Sequence, residues 1–146
     1  MDVPILAAEE DFLSAARQMS RWLERVLSVE YHRYPLTAGG WRPPVNVYED
    51  GTAYWVVAEL AGIEAHEISL RMEGNRLILS GQRTVPRPPG DEAGRRYASA
   101  VRLHVMEIDH GPFQRIIELP EPVCHERIEA SLGNGFLWVK LPKRAG

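Results

Sequence analysis

Four side chains in the second half of the chain are of types that do chemistry: His104, His110, Cys124 and His125. Imidazoles and a thiolate are the common zinc ligands, and a thiol beside an imidazole is the usual start of a nucleophilic pair. Their spacings, however, match none of the closed zinc patterns. Cys124 follows two prolines and precedes His125, but no neighbouring residues supply the base and orienting group that catalysis needs. His32 and His66 fall in polar, turn-like stretches where a solvated imidazole is expected. The glycines of AGG and GNG precede no helix start carrying the lysine of a phosphate-binding loop. The expectation is therefore a protein without catalytic residues, metal or cofactor, and an ATPase is disfavoured. An enzyme using the histidines and Cys124 would lose its activity when those four become alanine, which separates that reading from the rest.

What remains is apolar contact, and the bulk properties set its frame. With 146 residues, 45% of them hydrophobic and 25% charged, the chain has room for one soluble domain and a modest appendage. A net charge of -3 and a pI near 6.0 give no electrostatic reason for nucleic acid or an acidic membrane as principal partner. No apolar run approaches a bilayer's width, and MDVPILAAEEDF turns acidic before a signal-peptide core could form, so a cytoplasmic protein is expected. The single cysteine cannot close an internal disulfide.

Two kinds of element would position such contacts. From Glu9 to Ser28, Phe12, Ala15, Met19, Trp22 and Val26 step by three and four, and Leu13, Ala16, Leu23 and Leu27 widen the stripe. This predicts an amphipathic helix, with Glu9, Glu10 and Asp11 at the positive end of its dipole and Arg17, Arg21 and Arg25 on the polar side. Its apolar face either docks on its own domain or packs on other subunits and foreign apolar surface. After YPLTAGGWRPP the period changes to two, and from Arg42 to Lys143 the chain reads as short strands between turns. Val45 and Val47 alternate with Asn46 and Tyr48, and Tyr54 to Leu60 is apolar on both faces. Ile68, Leu70 and Met72 run through Gly74-Asn75 into Arg76 to Ser80 as a hairpin. A polar, proline-rich loop, PRPPGDEAGRR, precedes the alternating Val101, Leu103 and Val105. Phe113 to Leu119, Ile128 to Leu132 and Phe136 to Leu141 complete the set. No segment of this zone is helix-length, so parallel crossovers are excluded and an antiparallel sandwich is predicted.

The succession VNVYED, YWVVAELAGI, ISLRMEGNRLILSGQR, MEIDHGPFQRIIELP and IEASLGNGFLWVKLPK resembles the alpha-crystallin domain of the small heat-shock proteins, in its bacterial form, over the whole β zone. The matching motifs are Leu60-Ala61-Gly62, with Ala61 where the family usually has proline, Gly111-Pro112-Phe113-Gln114-Arg115 through Leu119-Pro120, and Ala130 through Asn134-Gly135-Phe136-Leu137 to Pro142-Lys143.

The resemblance implies an immunoglobulin-like β-sandwich that dimerises and holds partly unfolded proteins without ATP. The domains would be 1–41 as an N-terminal helical arm, 42–143 as the alpha-crystallin domain and 144–146 as a truncated tail. It further implies that Arg95 to Asp109 carries a strand into the partner's sheet, making Val101, Leu103, Val105, Glu107 and Arg115 dimer-interface residues. A groove between edge strands would be lined by Ile68, Leu70, Met72, Ile128, Ala130 and Leu132, residues that core packing would equally well employ. Phe12, Met19, Trp22, Leu23 and Val26 would form a second face for clients and assembly. The family's tail usually carries an Ile-x-Ile-like plug for that groove. This sequence ends at Gly146 without such a pair: either the tail lies outside it, or the protein assembles by its N-terminal helix alone and stays small, with that groove left unplugged. The competing reading is a sandwich-type co-chaperone or adaptor that binds a larger chaperone and stays monomeric.

Overall fold

The computed structural model describes residues 1–7, 40–86 and 103–145. The helix expected over Glu9 to Ser28, with Phe12, Met19, Trp22, Leu23 and Val26, lies outside these residues, as does Val101. Within them the chain forms β1 (Ile5–Ala7), β2 (Val45–Glu49), β3 (Ala53–Glu59), β4 (Ile68–Glu73), β5 (Arg76–Arg83), β6 (Gly111–Glu118), β7 (Glu129–Gly133) and β8 (Phe136–Pro142). Two sheets face each other, one of five strands in the order β1-β7-β8-β3-β2 and one of three in the order β4-β5-β6.

The predicted alternation decides what lies between the sheets. Tyr54, Val56 and Ala58 of β3 and Leu137, Val139 and Leu141 of β8 point inward against Leu70, Met72, Leu77, Leu79, Phe113 and Ile117. The other face of β3 and β8 is apolar too, since Trp55, Val57 and Trp138 form a second buried cluster with Tyr48 against it. Lys140 lies 5.3 Å from the Trp55 ring centroid. Turn chemistry fixes the registers. At Asn134-Gly135 both residues have positive φ, 54° and 81°, the pattern of a type I′ hairpin, which pairs Leu132 with Leu137. At Gly74-Asn75 only the glycine does, at 60°, as a II′ turn requires, and Met72 falls opposite Leu77.

Residues 1–7, expected as the start of a helical arm, instead extend the sandwich. β1 runs parallel to β7 and pairs Ile5 with Ala130 and Ala7 with Leu132, whereas the other described strands pair antiparallel. Just before it, Asp2 bridges antiparallel to Arg71 of β4. The segment thus leaves one sheet and enters the other at Pro4, a residue with no N–H to offer either ladder. A second difference concerns the strand read from Val101 to Met106. Residues 103–110 form no strand and are exposed throughout. A single edge segment with no neighbour to pair with gains no ladder bonds, whatever its alternation.

Candidate functional site

The sandwich has two lateral sides, where the margins of the two sheets face each other. The first lies between β4 and β7, where the resemblance implied a groove. Ile68, Leu70 and Met72 project from β4, and Ala130 and Leu132 from β7, with Ile128 just ahead of it. All are buried except Leu132, which is half-buried. The groove is not open, contrary to the expectation drawn from the tail. Val3 is 6% exposed and belongs to the same apolar cluster, and Ile5 packs against it. The segment is bonded on its β4 side: Val3 N donates to Leu70 O at 2.8 Å, Met72 N donates to Met1 O at 2.9 Å, and the Met1 α-ammonium donates to Met72 O at 3.0 Å. Arg71 Nε lies 3.6 Å from Asp2 Oδ1, an exposed pair of little energetic weight. The physical reason for the occupancy is that, without residues 1–7, β4 and β7 would both be edges, whose unpaired backbone groups and apolar inner side chains accept an extended segment that can alternate.

The second side lies between β6 and β2. Arg115 sits on the inner face of β6, between Phe113 and Ile117, and donates from Nη1 to Pro43 O at 3.1 Å. It therefore ties the chain leading into β2 to the opposite sheet. Trp41 strengthens the same side: its ring meets Phe113 edge-on at 5.3 Å, and its indole N–H donates to Gly111 O at 3.0 Å. Above Trp41 lies Arg83, 7% exposed, with its guanidinium 4.0 Å from the ring centroid. Arg83 donates twice to Asp109 O, from Nη2 at 2.6 Å and Nε at 2.9 Å, and from Nη1 to Ala61 O at 3.2 Å. These bonds fix the point where the long loop returns to β6.

Immediately ahead of that clamp the chain is apolar and bare. Leu103 is 70% exposed, Val105 71%, Met106 50% and Ile108 60%, with Glu107 exposed among them. On this side of the sandwich β2 ends its sheet, and among the described residues it pairs only with β3. Val47, which shares a face with Val45, is 46% exposed there.

The residues singled out for chemistry do not come together. His104 and His110 are exposed in the loop's return. His125 Nε2 lies 2.9 Å from Gly74 O, and the Cys124 thiol donates to Glu126 Oε2 at 3.4 Å. That thiol holds the Glu126 carboxyl below the usual glutamate range. A carboxylate held that low is a poor base for a thiol. Among the described residues no group of three or more His, Cys, Asp or Glu is placed to hold a metal, and no helix is long and apolar enough to cross a membrane. Elsewhere charge serves structure. Lys143 bonds Glu49 at 2.6 Å, which raises its pKa, and Glu121 at 3.4 Å.

Sequence reasoning missed four residues that shape these sides. Val3 and Ile5 gave a signal, two β-branched residues flanking a proline, too brief to register as a strand. Trp41 and Arg83 gave none, because their partners are remote in sequence.

A sequence profile of the Hsp20/alpha crystallin family matches residues 46–146. Among curated relatives, "Spore protein SP21" of Stigmatella aurantiaca is 35% identical over 102 residues, which cover 70% of this chain and 55% of that protein. The "Probable 15 kDa heat shock protein" of Leptospira interrogans is 30% identical over 102 residues, 70% of either chain. Among solved structures, heat shock protein 16.0 of Schizosaccharomyces pombe superposes with a TM-score of 0.58 at 28% identity, over 70% of this chain and 86% of that one. A small heat-shock protein from Xylella fastidiosa, described as having a distinct high order structure, gives 0.59 at 26% identity over 73% and 90%.

Proposed function

The chain belongs to the Hsp20/alpha crystallin family, and on that premise we propose that it is an ATP-independent chaperone that holds partly unfolded proteins through apolar surface and so prevents their aggregation. The observation that carries this reading is the β4–β7 side, where an extended segment is held by backbone bonds, its terminal ammonium and two apolar side chains, with one exposed ion pair of little weight. Such a mode asks no particular sequence of its ligand, only extended backbone and apolar residues at alternate positions. Partly unfolded proteins offer both, and burial at about 25 cal/mol per Å2 makes the capture favourable without nucleotide. Ile68, Leu70, Met72, Ile128, Ala130 and Leu132 line this client surface. Phe12, Met19, Trp22, Leu23 and Val26 supply a second one, in which aromatic and methionine side chains adapt to irregular partners.

The working unit is a homodimer. Leu103, Val105, Met106 and Ile108 form an exposed apolar run and β2 ends its sheet, which together support strand exchange: each protomer lends this segment to the other's β2. Val101, Glu107 and Arg115 complete the contact. This run favours the chaperone over a monomeric adaptor, in which it would have no partner. The test is to heat the chain with several unrelated thermolabile proteins and separate the mixture by size. Stable complexes containing both chains, formed without nucleotide, are expected. Clients that precipitate alone, leaving this chain free, would remove the proposal.

A further inference from the structure

The outer face of the five-stranded sheet should be the solvent side of a two-layer fold, yet its middle is buried. Trp55, Val57, Trp138 and Ser131 are all 8% exposed or less. Register places them side by side: Ser131 lies opposite Trp138, Trp138 opposite Val57, and Trp55 shares the face of Val57. A tryptophan on an open sheet face keeps one side of its ring in water unless a further layer lies over it. Among the described residues no such layer exists, since the other sheet packs on the opposite face. The outer face of that three-stranded sheet shows what an uncovered one looks like, with Arg71, Glu73, Gln114, Ile116 and Glu118 all exposed.

The covered zone spans β7, β8 and β3, about 10 Å across and so the width of one helix, while at its margins Leu6 of β1 and Asn46 of β2 stay exposed. It is too narrow for a second copy of the chain, which would need about 800 Å2 per partner. The topology names the occupant. Residues 8–39 leave the end of β1, at one margin of this sheet, and lead through Trp41 to β2, at the other. They must pass from margin to margin, about 19 Å, and a helix from Glu9 to Ser28 would be about 30 Å long. Residues 87–102 lie between β5 and β6, neighbours in the other sheet, and have no such distance to cover. We propose that the amphipathic stretch Glu9 to Ser28 docks on the outer face of its own sheet, with Met19, Trp22 and Val26 against Trp55, Val57 and Trp138. The inference does not depend on the chaperone reading. It bears on it in one way: side chains docked on the sheet reach a client only after leaving it.

The full chain is made with p-benzoylphenylalanine in place of Trp22, irradiated as an equal mixture of isotopically light and heavy protein, and its cross-links are mapped by mass spectrometry. Links are expected onto β3 or β8 around Trp55, Val57 and Trp138, joining segments of one isotope only. Links confined to other parts of the sandwich, or joining light chain to heavy, overturn the proposal. A second measurement reads the sheet instead of the helix. With Trp22→Phe the remaining tryptophans, Trp41, Trp55 and Trp138, are all buried, so acrylamide should quench little of their emission. Adding Met19→Asp and Val26→Asp should open Trp55 and Trp138 to the quencher and leave Trp41, inside the sandwich, protected. Arg21→Asp, on the polar side of the stretch, should change nothing. Circular dichroism and urea unfolding check that the sandwich persists. If the aspartates disturb it, Met19→Gln with Val26→Thr must raise the quenching the same way. Quenching unchanged in the folded variants overturns the docking.

Discussion

Replacing Val105 by aspartate is expected to weaken self-association while leaving the protomer folded. Val105 is 71% exposed in the chain by itself, so nothing inside the sandwich depends on it. Fully burying a valine side chain is worth about 1.5–3 kcal/mol, so covering the exposed part contributes about 1–2 kcal/mol per protomer. A twofold dimer makes the contact twice, giving about 2–4 kcal/mol, or a dissociation constant roughly 30- to 700-fold weaker. The aspartate adds the cost of desolvating a carboxylate at the same place. Sedimentation velocity over a wide concentration range reads the shift of the monomer–dimer curve, and denaturant unfolding reads the protomer, which should move by no more than about 0.5 kcal/mol, as surface substitutions do. An unaltered association curve would refute the assignment of this run to the interface. Loss of the fold would refute the claim that the run lies outside the core.

Other substitutions probe the two sides of the sandwich. Arg115→Ala removes the bond to Pro43 O and is expected to cost the protomer about 1–2 kcal/mol in denaturant while weakening the dimer further. An unchanged mass by light scattering would contradict the second part. Arg83→Met strips Asp109 O and Ala61 O of their donor and Trp41 of its cation, and should lower stability by about 2–3 kcal/mol, read as a lower urea midpoint. Gly81→Ala would place a Cβ 2.5 Å from Glu67 O and 2.7 Å from Phe113 Cζ, so a loss of about 1–3 kcal/mol is expected in the same assay. At Asp50 burial acts to raise the pKa, but the N–H groups of Thr52 and Ala53, together with the Thr52 hydroxyl and the Trp55 side chain, outweigh it, and the folded value lies below the usual aspartate range. The unfolded chain then holds the proton at higher pH than the folded one. The stabilisation is present above about pH 4 and is lost as pH falls through the folded value. Asp50→Asn should therefore flatten the acid limb of a stability–pH profile, and an identical limb would exclude the mechanism.

The β zone was readable because its signals are local. Ile68, Leu70 and Met72 alternate over a full strand, and Asn134-Gly135 names its own turn, so registers follow from a handful of neighbouring residues. Arg115 was readable as important, though its bond to Pro43 O, across the sandwich, was not. Alternation put Leu70, Met72, Ala130 and Leu132 on one side of their strands, which core packing asks for as well, and only the resemblance implied a groove there. The segment that lies against it was not readable. Val3 and Ile5 span too few residues for a period to emerge, and their placement depends on two edges that the topology brings together only after folding. The run from Leu103 to Ile108 teaches the converse. Its alternation is strand-like, yet within one chain it is bare, because a strand needs a neighbour as well as a pattern.

The central claim is that apolar surface alone, with no nucleotide, keeps failing proteins in solution. Light scattering of a heat-denaturing client, mixed with an equimolar amount of this chain in nucleotide-free buffer, tests it most directly. Scattering should stay near baseline with several unrelated clients and be unchanged when ATP is added. Scattering that rises as fast as for the client alone, or that falls only once ATP is supplied, would contradict it.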